Sequence, residues 1–234
     1  MSEPDLAGDQ CPPAAAARVG ANLAAVRERI AAAGRDPAGI GIVAVTKGFG
    51  LAAVRAALAA GLEDVGENYA DELCAKAERL RALGGVQPRW HFLGAIQRNK
   101  VARLAAHVTC FEGVDRLVEG ERLARLAPGA ALLVEVDLTG SPGRGGVPAA
   151  EVPRLVAALA GLGLRVEGLM TVAPPGDARR AAAAFSTVAA LAADLGLKEV
   201  SMGMSDDYEL AVRAGATRLR LGRVLFGERP RPQR

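Results

Sequence analysis

Eight short strand-like runs alternate with helix-like segments along almost the whole chain, and this alternation constrains the fold more than any single motif does. The runs are 40–45, 64–66, 89–93, 108–111, 131–136, 164–170, 199–201 and 218–221. The first and fifth are nearly continuous in β-branched and apolar residues, as expected of strands buried on both faces. Between them lie helical patterns, for example Leu73, Ala77 and Leu80 before the stop at Gly84-Gly85. Eight βα units predict an α/β protein made of a single (β/α)8 TIM barrel. An open doubly wound sheet is the competing fold, and closure is preferred because it leaves no strand edge to protect. A helix over 14–33, with Val19, Leu23, Val26 and Ile30 on one face, precedes the first strand. Too few residues follow the eighth strand for a full outer helix, so this first helix is expected to cover the barrel there. Residues 1–13, with Pro4, Gly8, Pro12 and Pro13, read as a disordered leader, 14–229 as the barrel, and 230–234 as a flexible tail.

The 29 basic and 26 acidic residues leave a net charge of +3, and the two signs are interleaved along most of the chain. A nucleic-acid binder would instead gather cations on one face, so none is expected as a partner. Arginines cluster only at the end, where Arg229, Arg231 and Arg234 read as a solvated tail and Arg218, Arg220 and Arg223 belong to the last βα unit. Cys11, Cys74 and Cys110 have neither disulfide nor metal spacing, which suits a reducing cytosol. The start has no secretory h-region, and the uncharged run 181–193 is too short to span a bilayer. The expected location is therefore cytoplasmic, with no membrane partner.

Barrels of this class place function on the loops after their strands, and a phosphate often binds after strands seven and eight. Here the first strand ends at Lys47. The seventh leads into Ser201-Met-Gly-Met-Ser205, and the eighth into Gly222-Arg223. Backbone N–H groups at two helix starts, with two serine hydroxyls, would make an anion cradle; helix capping alone would also explain Ser205 or Asp206. Closure brings strand one beside strand eight, and hence Lys47 beside the cradle. An amine next to a phosphate site suggests a phosphorylated aldehyde held as a Schiff base, with pyridoxal 5′-phosphate as the candidate. Arg220 and Arg218 share one strand face, and an inward Arg220 would offer only donors to a pyridine nitrogen, weakening the ring as an electron sink.

The segments Ala44-Val-Thr-Lys47, Gly66-Glu-Asn-Tyr69, Trp90-His-Phe-Leu-Gly94, Gln97-Arg-Asn-Lys100, Gly168-Leu-Met170, Ser201 through Asp206, and Arg220-Leu-Gly222 through Phe226-Gly227 closely resemble the pyridoxal-phosphate homeostasis proteins, the YggS/PROSC-like group. The resemblance covers roughly residues 14 to 229. It implies a barrel of the alanine racemase N-terminal type with the cofactor on Lys47, phosphate contacts from the Ser201–Ser205 segment and from the backbone at Gly222-Arg223, and Arg220 facing the pyridine nitrogen. Asn68 and Met170 complete the implied cofactor-binding set. Many members carry a lysine where Arg144 stands, which assigns Arg144 to the neighbourhood of the cofactor's phenolic oxygen. A threonine commonly stands at the position of Arg223, so charge is expected to replace one hydroxyl contact to phosphate.

His91 reads as a core-edge histidine with one hydrogen-bond partner or as an acid–base group, and His107 as a helix C-terminal cation. Asn68 and Tyr69 suit either the pocket or a turn, and Met202 and Met204 either its wall or the core. No carboxylate pair, Ser-His-Asp set or metal cluster stands out. The expected function is cofactor storage, transfer or regulation without efficient catalysis, in a monomer or weak dimer, with apo forms of pyridoxal-phosphate-dependent enzymes as candidate recipients. The alternatives are an amino-acid racemase and a class I aldolase-like Schiff-base enzyme. Efficient racemisation needs a second acid–base group opposite Lys47, and residues 227–234 hold no tyrosine to supply it.

Overall fold

Strand pairing decides the architecture. The computed structural model describes residues 11–140 and 143–229. Most of the expected leader, Ser141 and Pro142 of the loop after the fifth strand, and the tail with Arg231 and Arg234 lie outside the described residues. The elements in chain order are α1 (Pro13–Ala32), β1 (Gly41–Val45), α2 (Leu51–Ala59), β2 (Asp64–Glu67), α3 (Ala70–Ala82), β3 (Arg89–Phe92), α4 (Val101–Ala105), β4 (Val108–Val114), α5 (Leu117–Leu126) and β5 (Ala131–Asp137). They continue as β6 (Val147–Pro148), α6 (Val152–Gly161), β7 (Arg165–Met170), α7 (Ala178–Asp194), β8 (Glu199–Ser201), α8 (Tyr208–Arg213), β9 (Arg218–Leu221) and α9 (Arg223–Phe226).

Neighbours run β1-β2-β3-β4-β5-β7-β8-β9, and β9 pairs back onto β1 with Val43 opposite Arg220. All these pairings are parallel, and the barrel closes with eight strands as expected. The two-residue β6 is an addition that pairs with the end of β5. Alternation divides each strand between two environments. In β5, Leu132, Val134 and Val136 join the large apolar layer beneath the helices, whereas Ala131 and Leu133 pack inside the barrel with Cys110 and Met170. In β9, Leu219 and Leu221 belong to the outer layer, and Arg218 and Arg220 face Glu112 and Ser201 within the barrel.

Most strand boundaries fall within a residue of the sequence reading, and three further differences concern the packing. Pro13 already opens α1. The fourth strand runs to Val114 rather than 111, because Glu112 is buried inside the barrel against His91 and the chain stays extended to hold it there. The helix after Ser205-Asp206 starts only at Tyr208, with Asp207 accepting from the Met204 N–H at 2.6 Å. Helix α1 buries Val19, Leu23, Val26 and Ile30 and packs against α2 and α9, covering the barrel after its last strand as expected. Asn22 Nδ2 donates to the Leu225 carbonyl at 2.8 Å and ties α1 to α9. Among the described residues no helix is long and apolar enough to cross a membrane.

Candidate functional site

At the end of β1 the chain makes a tight turn. The Phe49 N–H donates to the Thr46 carbonyl at 3.0 Å. Gly48 has φ +74°, a left-handed value that glycine adopts without steric cost. Lys47 is thereby lifted off the strand end. It is half-buried, and among the described residues its amine has neither a hydrogen-bond nor an ion-pair partner. Burial lowers its pKa, the charges of Arg229 and Arg220 lower it further, and Glu67 and Glu72 act weakly the other way.

Lys47 stands in a cavity of about 800 Å3 at the C-terminal mouth of the barrel. Val45, Leu93, Met170 and Val172 supply apolar wall, and Asn68, Glu135, Ser205, Arg220, Gly222 and Arg223 supply polar wall. The cavity thus gathers seven residues singled out from the sequence: Lys47, Asn68, Met170, Ser205, Arg220, Gly222 and Arg223. The Asn68 Oδ1 is buried with no hydrogen-bond partner, an orphan acceptor on the wall. Arg220 is 5% exposed, and its guanidinium donates to the Ser201 Oγ at 2.9 Å and the Thr171 carbonyl at 2.8 Å. Burial lowers the Arg220 pKa, opposed chiefly by the charge of Glu112.

The two phosphate-type loops meet here. The Val224 N–H donates to the Ser205 Oγ at 3.2 Å, which joins the loop after β8 to the turn after β9. A Cβ on Gly222 would lie 3.2 Å from the Val45 carbonyl, so this glycine lets β9 turn close over β1. The other candidates sit differently. Ser201 is fully buried under the cavity floor, donating to Glu112 Oε2 at 2.6 Å and accepting from Arg220. Arg144 is exposed on the loop after β5 and is not part of the wall, although its charge acts on Glu135. Arg223 reaches the rim already paired with Asp206, and with Glu228 at 3.7 Å. Tyr69 points outward, 63% exposed, whereas its neighbour Asn68 lines the cavity. Met204 is on the wall and Met202 in the core.

Sequence reasoning missed Glu135 and misjudged Arg229. Glu135 is on the cavity wall, and among the described residues its carboxylate has no hydrogen-bond partner. Burial, reinforced by the charge of Asp115, pushes its pKa up to about 7, against the opposing charges of Arg220 and Arg144. Its signal was a lone carboxylate inside the apolar run Leu132-Leu-Val-Glu-Val136. Arg229, expected in a solvated tail, lines the mouth instead, because Gly227 with φ +83° turns the chain after α9 across it.

Deeper in the barrel, His91 proves to be a core residue with two carboxylate partners rather than one. Its Nδ1 lies 2.6 Å from Glu112 Oε1 and its Nε2 3.0 Å from Asp64 Oδ1. Burial pulls its pKa down, but hydrogen bonds with Asp64, Cys110 and Glu112 outweigh that and raise it to about 11. His91, Cys110 and Glu112 bring potential ligand atoms within 4.8 Å of one another, yet His91 and Glu112 already bond each other and Arg218 stands 3.5 Å from Glu112. His107 follows the end of α4, its N–H donating to the Leu104 carbonyl at 2.9 Å and its Nε2 lying 3.7 Å from Glu78 Oε1.

A parallel eight-stranded barrel with a lone amine at its mouth belongs to the class described as alanine racemase, N-terminal domain, whose family model matches residues 16–230. The pyridoxal phosphate homeostasis protein of Pseudomonas aeruginosa is 43% identical over 215 residues, covering 88% of this chain and 92% of that protein. PipY of Synechococcus elongatus, solved with PLP bound, is 34% identical with a TM-score of 0.78 and covers 89% of this chain and 100% of its own. The chain belongs to the pyridoxal phosphate homeostasis protein family. Alanine racemase from E. faecalis shares the fold at a TM-score of 0.66 and 20% identity, and this chain spans 59% of it.

Proposed function

We propose that this chain holds pyridoxal 5′-phosphate as a Schiff base on Lys47 and acts in cytoplasmic cofactor storage, transfer or regulation rather than in efficient catalysis. The observation that carries this reading is the unpartnered, half-buried amine of Lys47, its pKa lowered, in one cavity with Arg220 and Ser205. The residues present fit the group: an orphan acceptor at Asn68, donors at Arg220 and Ser205, and apolar side chains at Val45, Leu93, Met170 and Val172 for a flat ring. The cofactor supplies an aldehyde that condenses with an amine.

The chain's own residues then divide the work. Lys47 offers an amine that is more readily neutral, and so nucleophilic, than an ordinary lysine. The Ser205 hydroxyl and the backbone at Gly222-Arg223 would hold the phosphate, and the Arg223 charge, shared with Asp206, would screen it. Arg220, a donor with no acceptor capacity, would face the ring nitrogen and leave it unprotonated. Ser201 acts from beneath, holding Arg220. Arg144, exposed on the loop after β5 and outside the wall, would lend its charge only from a distance, as it does to Glu135. Support for homeostasis over turnover comes from the relatives, which are named homeostasis proteins.

The test is to purify the protein, record its absorption beyond the aromatic band, reduce with borohydride, and map the added mass. The expected result is a single adduct on Lys47 and transfer of cofactor to an apo-aminotransferase. Rapid formation of D-isomers from L-amino acids in deuterated water would replace the carrier reading with a racemase.

A further inference from the structure

The turn that carries Lys47 is gripped from behind. On α3, Lys76 donates from Nζ to the Thr46 carbonyl at 2.8 Å, and to Glu67 Oε1 at 2.5 Å and Glu72 Oε1 at 2.8 Å. Glu72 in turn accepts the Gly48 N–H at 2.8 Å, and the Thr46 hydroxyl donates to Glu67 at 2.6 Å. The carbonyl of the peptide before Lys47 and the N–H of the peptide after it are therefore anchored to the same ion-pair cluster. Lys76 is only 8% exposed and Glu67 is fully buried. A buried ion pair is a weak way to stabilise a fold, since apolar residues of similar volume usually serve as well or better. Ions retained here fit a task of orientation instead.

We propose that Lys76, together with Glu72, is a positioning residue that keeps the Lys47 amine inside the cavity by clamping the two peptide groups on either side of it. This rests on the reading of Lys47 as the residue that bonds the cofactor. With the clamp released, the turn loosens and the amine swings toward water, where it regains the behaviour of an ordinary lysine. The charges that act on it in place are Arg229 and Arg220, opposed by Glu67 and Glu72. Glu135, Asp206, Arg223 and Glu228 share the cavity.

The test uses the full chain without cofactor, as wild type, Lys76→Met and Glu72→Ala. Each is trace-labelled with acetic anhydride across the lysine titration range, and the labelling midpoint of Lys47 is read by mass spectrometry against the exposed Lys198. In wild type the Lys47 midpoint lies below that of Lys198. In Lys76→Met it moves up toward Lys198, and in both variants borohydride-trapped condensation with pyridoxal phosphate slows about ten- to a hundred-fold. A Lys47 midpoint and condensation rate unchanged from wild type in a folded variant would overturn the proposal. Should Lys76→Met fail to fold, Glu72→Ala carries the test, because it removes the anchor of the Gly48 N–H and leaves Lys76 paired with Glu67. A midpoint that shifts in protein that never takes up pyridoxal phosphate would support the clamp while defeating the functional reading.

Discussion

Near the N-terminal ends of the strands, Arg89 reaches Asp64 at 2.7 Å, Asp64 lies 3.0 Å from His91, and His91 lies 2.6 Å from Glu112. Glu112 also accepts from Ser201 at 2.6 Å and lies 3.5 Å from Arg218. At the mouth Arg223 is paired with Asp206, but two other charged groups stand apart. Neither the Lys47 amine nor the Glu135 carboxylate has a hydrogen-bond partner among the described residues, and the Asn68 Oδ1 is orphaned. The contrast teaches that polar residues inside a barrel do not by themselves mark a site. His91, held between two carboxylates, is driven further toward its charged form, whereas Lys47 and Glu135, unpaired at the cavity, are pushed toward neutrality.

The largest expected effect is at the mouth. Lys47→Ala should abolish covalent retention of pyridoxal phosphate while leaving the thermal midpoint close to wild type, measured by borohydride trapping and by a melting curve. A full-occupancy adduct on another lysine would break the contrast between unpaired and paired cations.

The interior should answer in stability instead. Glu112→Ala strands His91, Arg218 and Ser201 in the barrel and should cost about 3–5 kcal/mol, read by urea unfolding. The pH dependence has a definite sign. A histidine whose folded pKa is raised to about 11 contributes fully below its unfolded value of 6.5, and that contribution fades as pH rises through 11. Stability should therefore decline over this range in wild type and stay flatter in His91→Gln. A flat wild-type profile would show that the interior pairs are not held as charges.

A smaller effect separates the two serines. Ser205→Ala removes a hydroxyl from the wall and should weaken cofactor retention about ten-fold or more, with little loss of stability. Ser201→Ala takes away the oxygen between Arg220 and Glu112, so it should alter the absorption of the bound cofactor and lower stability as well. Identical behaviour of the two variants would erase the distinction between wall and floor.

The smallest effect concerns Glu135. Its carboxyl keeps its proton up to about pH 7 in the folded chain but loses it near 4.5 when unfolded, so stability falls as pH rises between those values. Glu135→Gln should be flat in that window and more stable above it by about 1–2 kcal/mol, a figure reduced for the carboxylate's partial exposure. Equal pH profiles for the two proteins would mean that Glu135 finds a partner in solution and belongs with the paired group.

Much of the mouth was legible in the sequence alone. The run ending at Lys47 announced a buried strand, because only a strand covered on both faces tolerates near-continuous Ile and Val. The spacing of Arg218 and Arg220 put both on one face, and barrel closure put that face beside Lys47. Glu135 was overlooked because period-two alternation says which residues share a face but not which face looks into a cavity. Arg229 was misjudged for a similar reason, since nothing local reveals that the turn at Gly227 sends it back over the mouth. Glu112 was read as lying beyond a strand end, because a carboxylate in an extended run has no visible partner until β3 is laid alongside β4.

The sequence by itself determined the number of βα units, their order, the position of the lysine at a strand end and the glycine-bearing loops after the last two strands. Those features rest on local periodicity, turn chemistry and chain length, all written along the chain. Which charges neutralise one another was decided only by the tertiary structure. Ser201 and Glu112 are 89 positions apart, Arg218 and Glu112 are 106 apart, and each meets its partner only once the barrel register places β4 across from β8 and β9. Coulombic and hydrogen-bond energies depend on separations of a few ångströms, and no pattern along the chain encodes a distance across the barrel.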